Sequence, residues 1–421
     1  MIAQTETLNR LRPESRALVA ALVAIGLFGC AWGLLHVGFY RHDQVIDTPI
    51  YQRYGNAITS GHVPYRDFGV EYPPGALVAF ALPGFADPGA PNEVTAGFRH
   101  AFETLMWLCG AAVVLASALT LFELEAEPRH LWAALAFISL APLAVGSVIL
   151  SRFDLWPTAL VAVSIAAVVA GRLRLGLGIL GLAVATKFFP AVLVPPALIY
   201  VWRRAGWREA EICAAICAGV VAAVCLPFLA LAPGGLWHSL TGQLTRPLQL
   251  ESLGSGLLLV AHHVAGMHVD VETSHGSQNL AGALPNALAT VESVLLALSL
   301  VTVWVLFGRG PATGARFVRF AAASLTVFVA FGKVLSPQFM IWLVPVIPLV
   351  RGRRGLYASA LLAAAIVLTQ AWFPFRYWKL ALDLDATAAW LVLARDLSLV
   401  AIAVLLVLPD HRRDTTEPVA A

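Results

Sequence analysis

Charge, and lysine above all, is what this sequence has least of. Only 13% of its 421 residues are charged, where a soluble domain carries about a quarter, and three are lysines: Lys187, Lys333 and Lys379. So little charge cannot wet a soluble surface, and a 59% hydrophobic content with a mean hydropathy of +0.77 agrees. With a net charge of +3 and no long basic run, no nucleic-acid partner is expected. The five cysteines (Cys30, Cys109, Cys213, Cys217 and Cys225) all lie in apolar runs and none pairs with a histidine at zinc-ligand spacing. They read as small buried hydrophobes. The first apolar run, about 17 to 40, is too long for a signal-peptide core and lacks a small-residue cleavage site, so a retained first helix is expected.

What is present is a series of apolar runs near the length of about 20 residues that crosses a bilayer. The chain has room for about ten such spans and little else, so residues 1–421 are expected to form one membrane domain. The spans run roughly 17–39, 98–122, 131–150, 155–170, 209–232, 282–307, 317–332, 337–350, 355–372 and 387–409. An N-terminus bearing Arg10, Arg12 and Arg16 on the cytoplasmic side places every arginine-rich short loop on that same side, as the positive-inside rule requires. Those loops hold Arg129, Arg172 and Arg174, Arg203 to Arg208, Arg309 and Arg316, Arg351 to Arg354, and Arg412 and Arg413.

Residues 175–202 break the pattern, because arginines flank both ends. Pro190, after Lys187, Phe188 and Phe189, stops a helix at or before the preceding residue. Two half-helices of about a dozen residues, folding back from a tip about 18 Å deep near Lys187, satisfy both flanks. Irregular backbone at that depth must lie inside protein or beside a wet cavity.

The opposite face collects the polar chemistry. Its first loop lies within about 40–97 and another long one within about 233–281, and loops of that length usually carry function. Their aromatic, proline-rich composition argues for structure over disorder. All three lysines fall on or toward this face, as do Arg152, Arg246 and Arg376. Positive charge against the positive-inside bias calls for an anion such as a lipid phosphate, with headgroup snorkelling as the alternative. Asp43 and Asp47, four apart, share a face with Tyr51 on any short helix, where a carboxylate can serve as general base or remain a solvated loop acid. Asp154 caps a helix, pairs with Arg152, or acts chemically. Arg246, Gln249 and Glu251 either line a sugar pocket or cap the apolar segment after Ser252. His262, His263, His268 and His275, with Asp270 and Glu272, match no ligand spacing and are expected in a mobile loop. Arg395 and Asp396, mid-span, are expected to offset each other's burial.

Several segments together resemble the GT-C glycosyltransferase superfamily and, within it, glycosyltransferase family 87, which is polyprenyl-phosphate-sugar-dependent and mannosyl- or arabinosyltransferase-like. They are Asp47 with Tyr51, Gly61 to Tyr65, Glu71-Tyr72-Pro73-Pro74, Arg152-Phe153-Asp154, Ala185 to Pro190, Gln249 to Ser252, and Leu335-Ser336-Pro337-Gln338 before Trp342 and Pro345. The likeness spans most of the chain. It implies an all-α polytopic helical bundle of GT-C type, with a structured first outer loop and the re-entrant hairpin near Lys187. It also implies inverting transfer of one sugar from a polyprenyl-phosphate donor to a glycan or glycolipid hydroxyl. Asp47 matches the position of the family's catalytic aspartate. Lys187, Lys333, Arg152 and Arg246 would hold the donor phosphate. Asp43, Tyr51, Glu71, Tyr72, Asp154, Gln249, Glu251 and Gln338 would contact sugar or acceptor. No cofactor is expected, a divalent metal is not indicated, and the expected location is a bacterial plasma membrane with the site on the extracytoplasmic face. Gln338, Phe339 and Met340 stand where some mannosyltransferase members have histidines, which leaves the donor sugar open. A lipid transporter or flippase is the competing class, since a broken helix pair suits a midplane site, although no inverted repeat relates the two halves. A non-catalytic scaffold is a third.

Overall fold

The computed structural model describes residues 13–41, 45–88 and 94–409. Helix α1, Pro13–Leu34, is followed by α2, Thr48–Thr59, and α3, Leu77–Ala86, which pack on each other within the first loop. Then come α4, Ala96–Glu123, α5, Pro128–Val145, and α6, Leu155–Val169. Next are α7, Leu173–Val184, α8, Val194–Ala205, α9, Trp207–Leu231, and α10, Pro233–Leu244. Strand β1, Leu248–Gln249, leads into α11, Leu253–Ala265, and a hairpin of β2, Asp270–Ser274, and β3, Ser277–Ala281. The chain ends with α12, Ala283–Arg309, α13, Gly314–Ala330, α14, Gly352–Trp372, α15, Tyr377–Asp383, and α16, Ala386–Val407. The fold is helical apart from a small antiparallel sheet in the order β1, β3, β2, with Leu248 opposite Leu280 and Asp270 opposite Ala281.

Local sequence sets the helix boundaries. Thr95 starts α4 by accepting from the Phe98 N–H, and Asp385 starts α16 by accepting from that of Ala388. Proline opens α1, α5 and α10, where its missing N–H costs nothing. Seven of the expected spans form helices long and apolar enough to cross a membrane, and the chain is a multi-pass membrane protein. The other three are shorter. Helix α6 has 15 residues and α13 has 17; these two are the most enclosed elements and form the centre of the bundle. Residues 337–350 do not form the single helix expected. Pro337, Pro345 and Pro348 withhold backbone donors there, leaving one helical turn, Met340–Leu343, between tight turns. Helices α9 and α12 bury only 11% and 22% of their apolar windows and present the rest outward, as lipid-facing helices do.

The arginine-rich turns lie together at one end. Arg174, at the start of α7, donates twice to Glu209, at the start of α9, with both contacts 2.8 Å. Arg203 donates to the Gly308 carbonyl, His130 contacts that of Pro348 at 2.8 Å, and Arg354 donates to that of Pro409 at 3.1 Å. The Arg174–Glu209 pair carries the re-entrant reading, because it brings both ends of residues 174–209 to one place while Lys187 sits beside Asp154, at the far end of α6 from Arg172. Each arm, α7 and α8, is 12 residues, or about 18 Å. The arms are separated by residues 185–193, and Trp304 of α12 donates to the Val192 carbonyl at 3.1 Å to fix the turn.

The loop of residues 233–281 is ordered, contrary to the mobile segment expected around its histidines. His262 and His263 end α11, with His262 bonding the Met267 carbonyl and His263 that of Leu384, both at 2.7 Å. No group of three or more His, Cys, Asp or Glu among the described residues is placed to hold a metal. Arg395 and Asp396 offset each other as expected, fully buried at 2.6 Å. Cys109, Cys213 and Cys217 are buried, Cys225 is half-buried, and Cys30 lies exposed on the apolar surface of α1.

Candidate active site

At the Lys187 end, five separated segments meet. Asp47 stands at the N-terminus of α2, and both its contacts fall on one oxygen, Oδ2, which is ion-paired with the Arg152 guanidinium and accepts from the Tyr51 hydroxyl at 3.4 Å. Among the described residues Oδ1 makes no ion pair or hydrogen bond, and the side chain is 26% exposed. Tyr51, one helical turn on, is fixed by burial against Phe80, Phe102, Phe153 and Tyr72. Arg152 also donates to the Val45 carbonyl at 3.5 Å, and its buried Nε has no hydrogen-bond partner.

Asp154 does not cap α6 with its side chain. One of its oxygens accepts from Lys187 Nζ and from Trp342 Nε1, each at 2.7 Å, and the other is buried without a partner. The ammonium of Lys187 lies 4.8 Å from the Phe153 ring centre and 5.1 Å from that of Trp342, with Tyr72 and Phe339 each at 5.8 Å. Four ring faces around a cation replace part of the water it loses. Trp342 is itself clamped between Phe189 and Phe339 at 4.1 and 3.9 Å. Lys187 therefore enters the site as a held charge.

The loop before α11 supplies the fifth segment. Gln249 donates from its side chain to Ser336 Oγ at 2.9 Å and to the Glu251 carboxylate, and its backbone N–H donates to the Lys333 carbonyl at 2.9 Å. Ser252 caps α11 by accepting from the Ser255 N–H, which frees Gln249 and Glu251 from that duty. Burial pushes the Glu251 carboxyl up to about 7, against the opposing charges of Arg395, Arg152 and Arg246. Burial likewise draws Arg246 below the usual guanidinium range, against the pull of Glu71, Tyr72 and Glu251. Arg246 donates to Ser277 Oγ at 2.9 Å and keeps a buried Nε without a partner. The charges of Arg152 and Arg246 both act on Lys187.

Most of the candidates named from the sequence are thus brought together. Glu71 is exposed, at the β2–β3 turn beside Gly276 and within electrostatic reach of Arg246. Gln338 is half-buried with Oε1 unpartnered. Lys333 donates to the Leu244 carbonyl at 2.9 Å, a cation on the C-terminus of α10. Asp43 lies outside the described residues. Residues whose part the sequence reading did not foresee are Trp342, Phe339 and Ser336, which sit in a quoted motif without a stated role, and Ser277 and Tyr377. Tyr377 lies within electrostatic reach of Arg152 and Glu251. The aromatic density of Phe188-Phe189 and Phe339-Met340-Ile341-Trp342 was the available signal for the cage; nothing local marked Ser277.

The model of glycosyltransferase family 87 matches residues 71–337. Two solved structures of ArnT from Cupriavidus metallidurans, one bound to undecaprenyl phosphate and one in the apo state, are similar over 94% of this chain and 76% of theirs. Their identities are 14% and 12%, with TM-scores of 0.41 and 0.46. No curated protein matches the chain.

Proposed function

The chain belongs to glycosyltransferase family 87, a family of GT-C membrane glycosyltransferases, and on that premise we propose that it transfers one sugar, with inversion, from a polyprenyl-phosphate donor to a hydroxyl of a glycan or glycolipid. The reading places the site on the extracytoplasmic face of a bacterial plasma membrane, where nucleotide sugars are absent and a lipid must carry the donor. Asp47 is the general base. Its Oδ1 takes the proton from the acceptor hydroxyl while that oxygen attacks the anomeric carbon and the bond from that carbon to the phosphate oxygen breaks. The leaving phosphate carries the developing charge, and Arg152, Arg246 and Lys187 are the groups to meet it. Lys333 joins them on leaving the Leu244 carbonyl. Asp154, Tyr51, Tyr72, Glu71, Gln249, Glu251 and Gln338 surround sugar and acceptor. The scheme calls on no metal, because guanidinium and ammonium groups serve the phosphate.

The observation that carries the reading is the grouping of Asp47, Arg152 and Lys187 from three separate segments, with buried Nε atoms of Arg152 and Arg246 uncommitted. The test is transfer by the purified full-length protein, offered a panel of polyprenyl-phosphate sugars and a panel of acceptor glycans, beside Asp47→Asn. Product from the wild type and its loss in the variant supports the proposal. Equal turnover by both, or binding without transfer from every donor, overturns it in favour of a carrier or scaffold.

A further inference from the structure

A second concave site lies at the opposite end of the bundle, between α5 and α14. It is a groove of about 910 Å³, toward the upper end of the roughly 300–1,000 Å³ typical of ligand pockets. Its mouth carries two acids, Glu125 and Glu127, and two bases, Arg129 and Arg351. Among the described residues none of the four makes a side-chain ion pair or hydrogen bond. Below the mouth the walls turn apolar, with Phe137, Ala360 and Leu356, the last 67% exposed. The charged ring therefore sits where the arginine-rich turns gather, and the apolar floor runs along two bilayer-length helices.

That arrangement suits an amphiphile bearing charges of both signs. All four side chains are exposed and uncommitted, two of each sign at one mouth, so they are free to meet a ligand. A phosphodiester is matched by the two guanidinium groups, an ammonium by the two carboxylates, and acyl chains by the walls. A purely anionic headgroup would leave Glu125 and Glu127 opposed. We propose that this groove binds one glycerophospholipid of the leaflet at the arginine-rich end, with an amine-bearing headgroup of the phosphatidylethanolamine type. The lipid would brace the turn at Pro348, which His130 already holds and which ends the segment carrying Trp342.

The test is lipid binding, read without reference to transfer. Full-length protein in a mild detergent is stripped of lipid, titrated with phosphatidylethanolamine or phosphatidylglycerol, and followed by native mass spectrometry and by thermal unfolding. The expected result is a single phosphatidylethanolamine adduct that raises the unfolding temperature and is roughly tenfold or more weaker in Arg129→Gln with Arg351→Gln. Glu125→Gln with Glu127→Gln should erase the preference over phosphatidylglycerol. Ala360→Trp, which fills the groove without touching a charge, should lose the adduct, and it decides the matter if the arginine variant does not fold. Equal adducts in wild type and Ala360→Trp, or tighter phosphatidylglycerol binding by the wild type, overturn the proposal. So does self-association with cross-links through Leu356, which would give the groove to a second copy of the chain.

Discussion

Arg152 holds Asp47 through an ion pair that joins the segment before α2 to the turn before α6. In the proposed scheme the guanidinium restrains the carboxylate until an anion competes for Arg152. A donor phosphate is such an anion, so in the proposed scheme donor arrival and release of the base are one event.

Removing the base should separate chemistry from binding. Asp47→Asn is expected to lower turnover about 10²- to 10⁴-fold while leaving donor affinity equal or tighter, since Arg152 gains freedom. Single-turnover transfer and equilibrium donor binding on the same preparation check this, and a parallel loss of both would recast Asp47 as a structural partner of Arg152.

Asp154 serves two donors from distant parts of the chain, Lys187 and Trp342. Asp154→Ala leaves a buried ammonium without its partner and should cost about 3–5 kcal/mol. Pairing it with Lys187→Met, which removes the orphaned charge, should recover much of that stability and none of the activity. Unfolding of the three variants in detergent gives the comparison.

Glu251 makes stability depend on pH. Its carboxyl ionises near 7 in the folded chain because of burial, above its value when unfolded, so between about 4.5 and about 7 the unfolded form holds fewer protons. Its contribution is therefore full below the unfolded value and lost as pH rises through the folded one. Glu251→Gln should flatten this fall in an unfolding series from pH 4.5 to 8; an unchanged slope would mean that Glu251 stays ionised.

Arg174 and Glu209 are solvent-accessible, with side chains 59% and 22% exposed. A double-mutant cycle should find no more than about 1 kcal/mol, weakening with salt. Single cysteines at positions 174 and 333, in a background without the native five, are expected to react with impermeant reagents from opposite sides of the membrane. Reaction from one side only would break the topology.

The apolar runs were legible because bilayer length is a property of local sequence, and the arginines of the short turns were legible because counting suffices. The hairpin followed from Arg174 and Arg203 flanking one segment. The fate of 337–350 was not legible: its hydropathy matches a span, and only the spacing of Pro337, Pro345 and Pro348 distinguishes it. The strand pairing within 233–281 was hidden because β1 has two residues and finds its partner strand about thirty positions on. The cap and the Arg152 partnership offered for Asp154 are both local readings, while its actual partners lie 33 and 188 positions away. Pairings across that much chain leave no periodicity to read.

The fold-back of residues 174–209 also sets a parity. A segment that leaves and rejoins the same boundary adds depth without exchanging the two compartments for anything encoded after it. Lengthening either arm into a full crossing would therefore invert every loop from Pro233 onward, moving Arg246, Gln249 and Trp342 away from Asp47 in a single step.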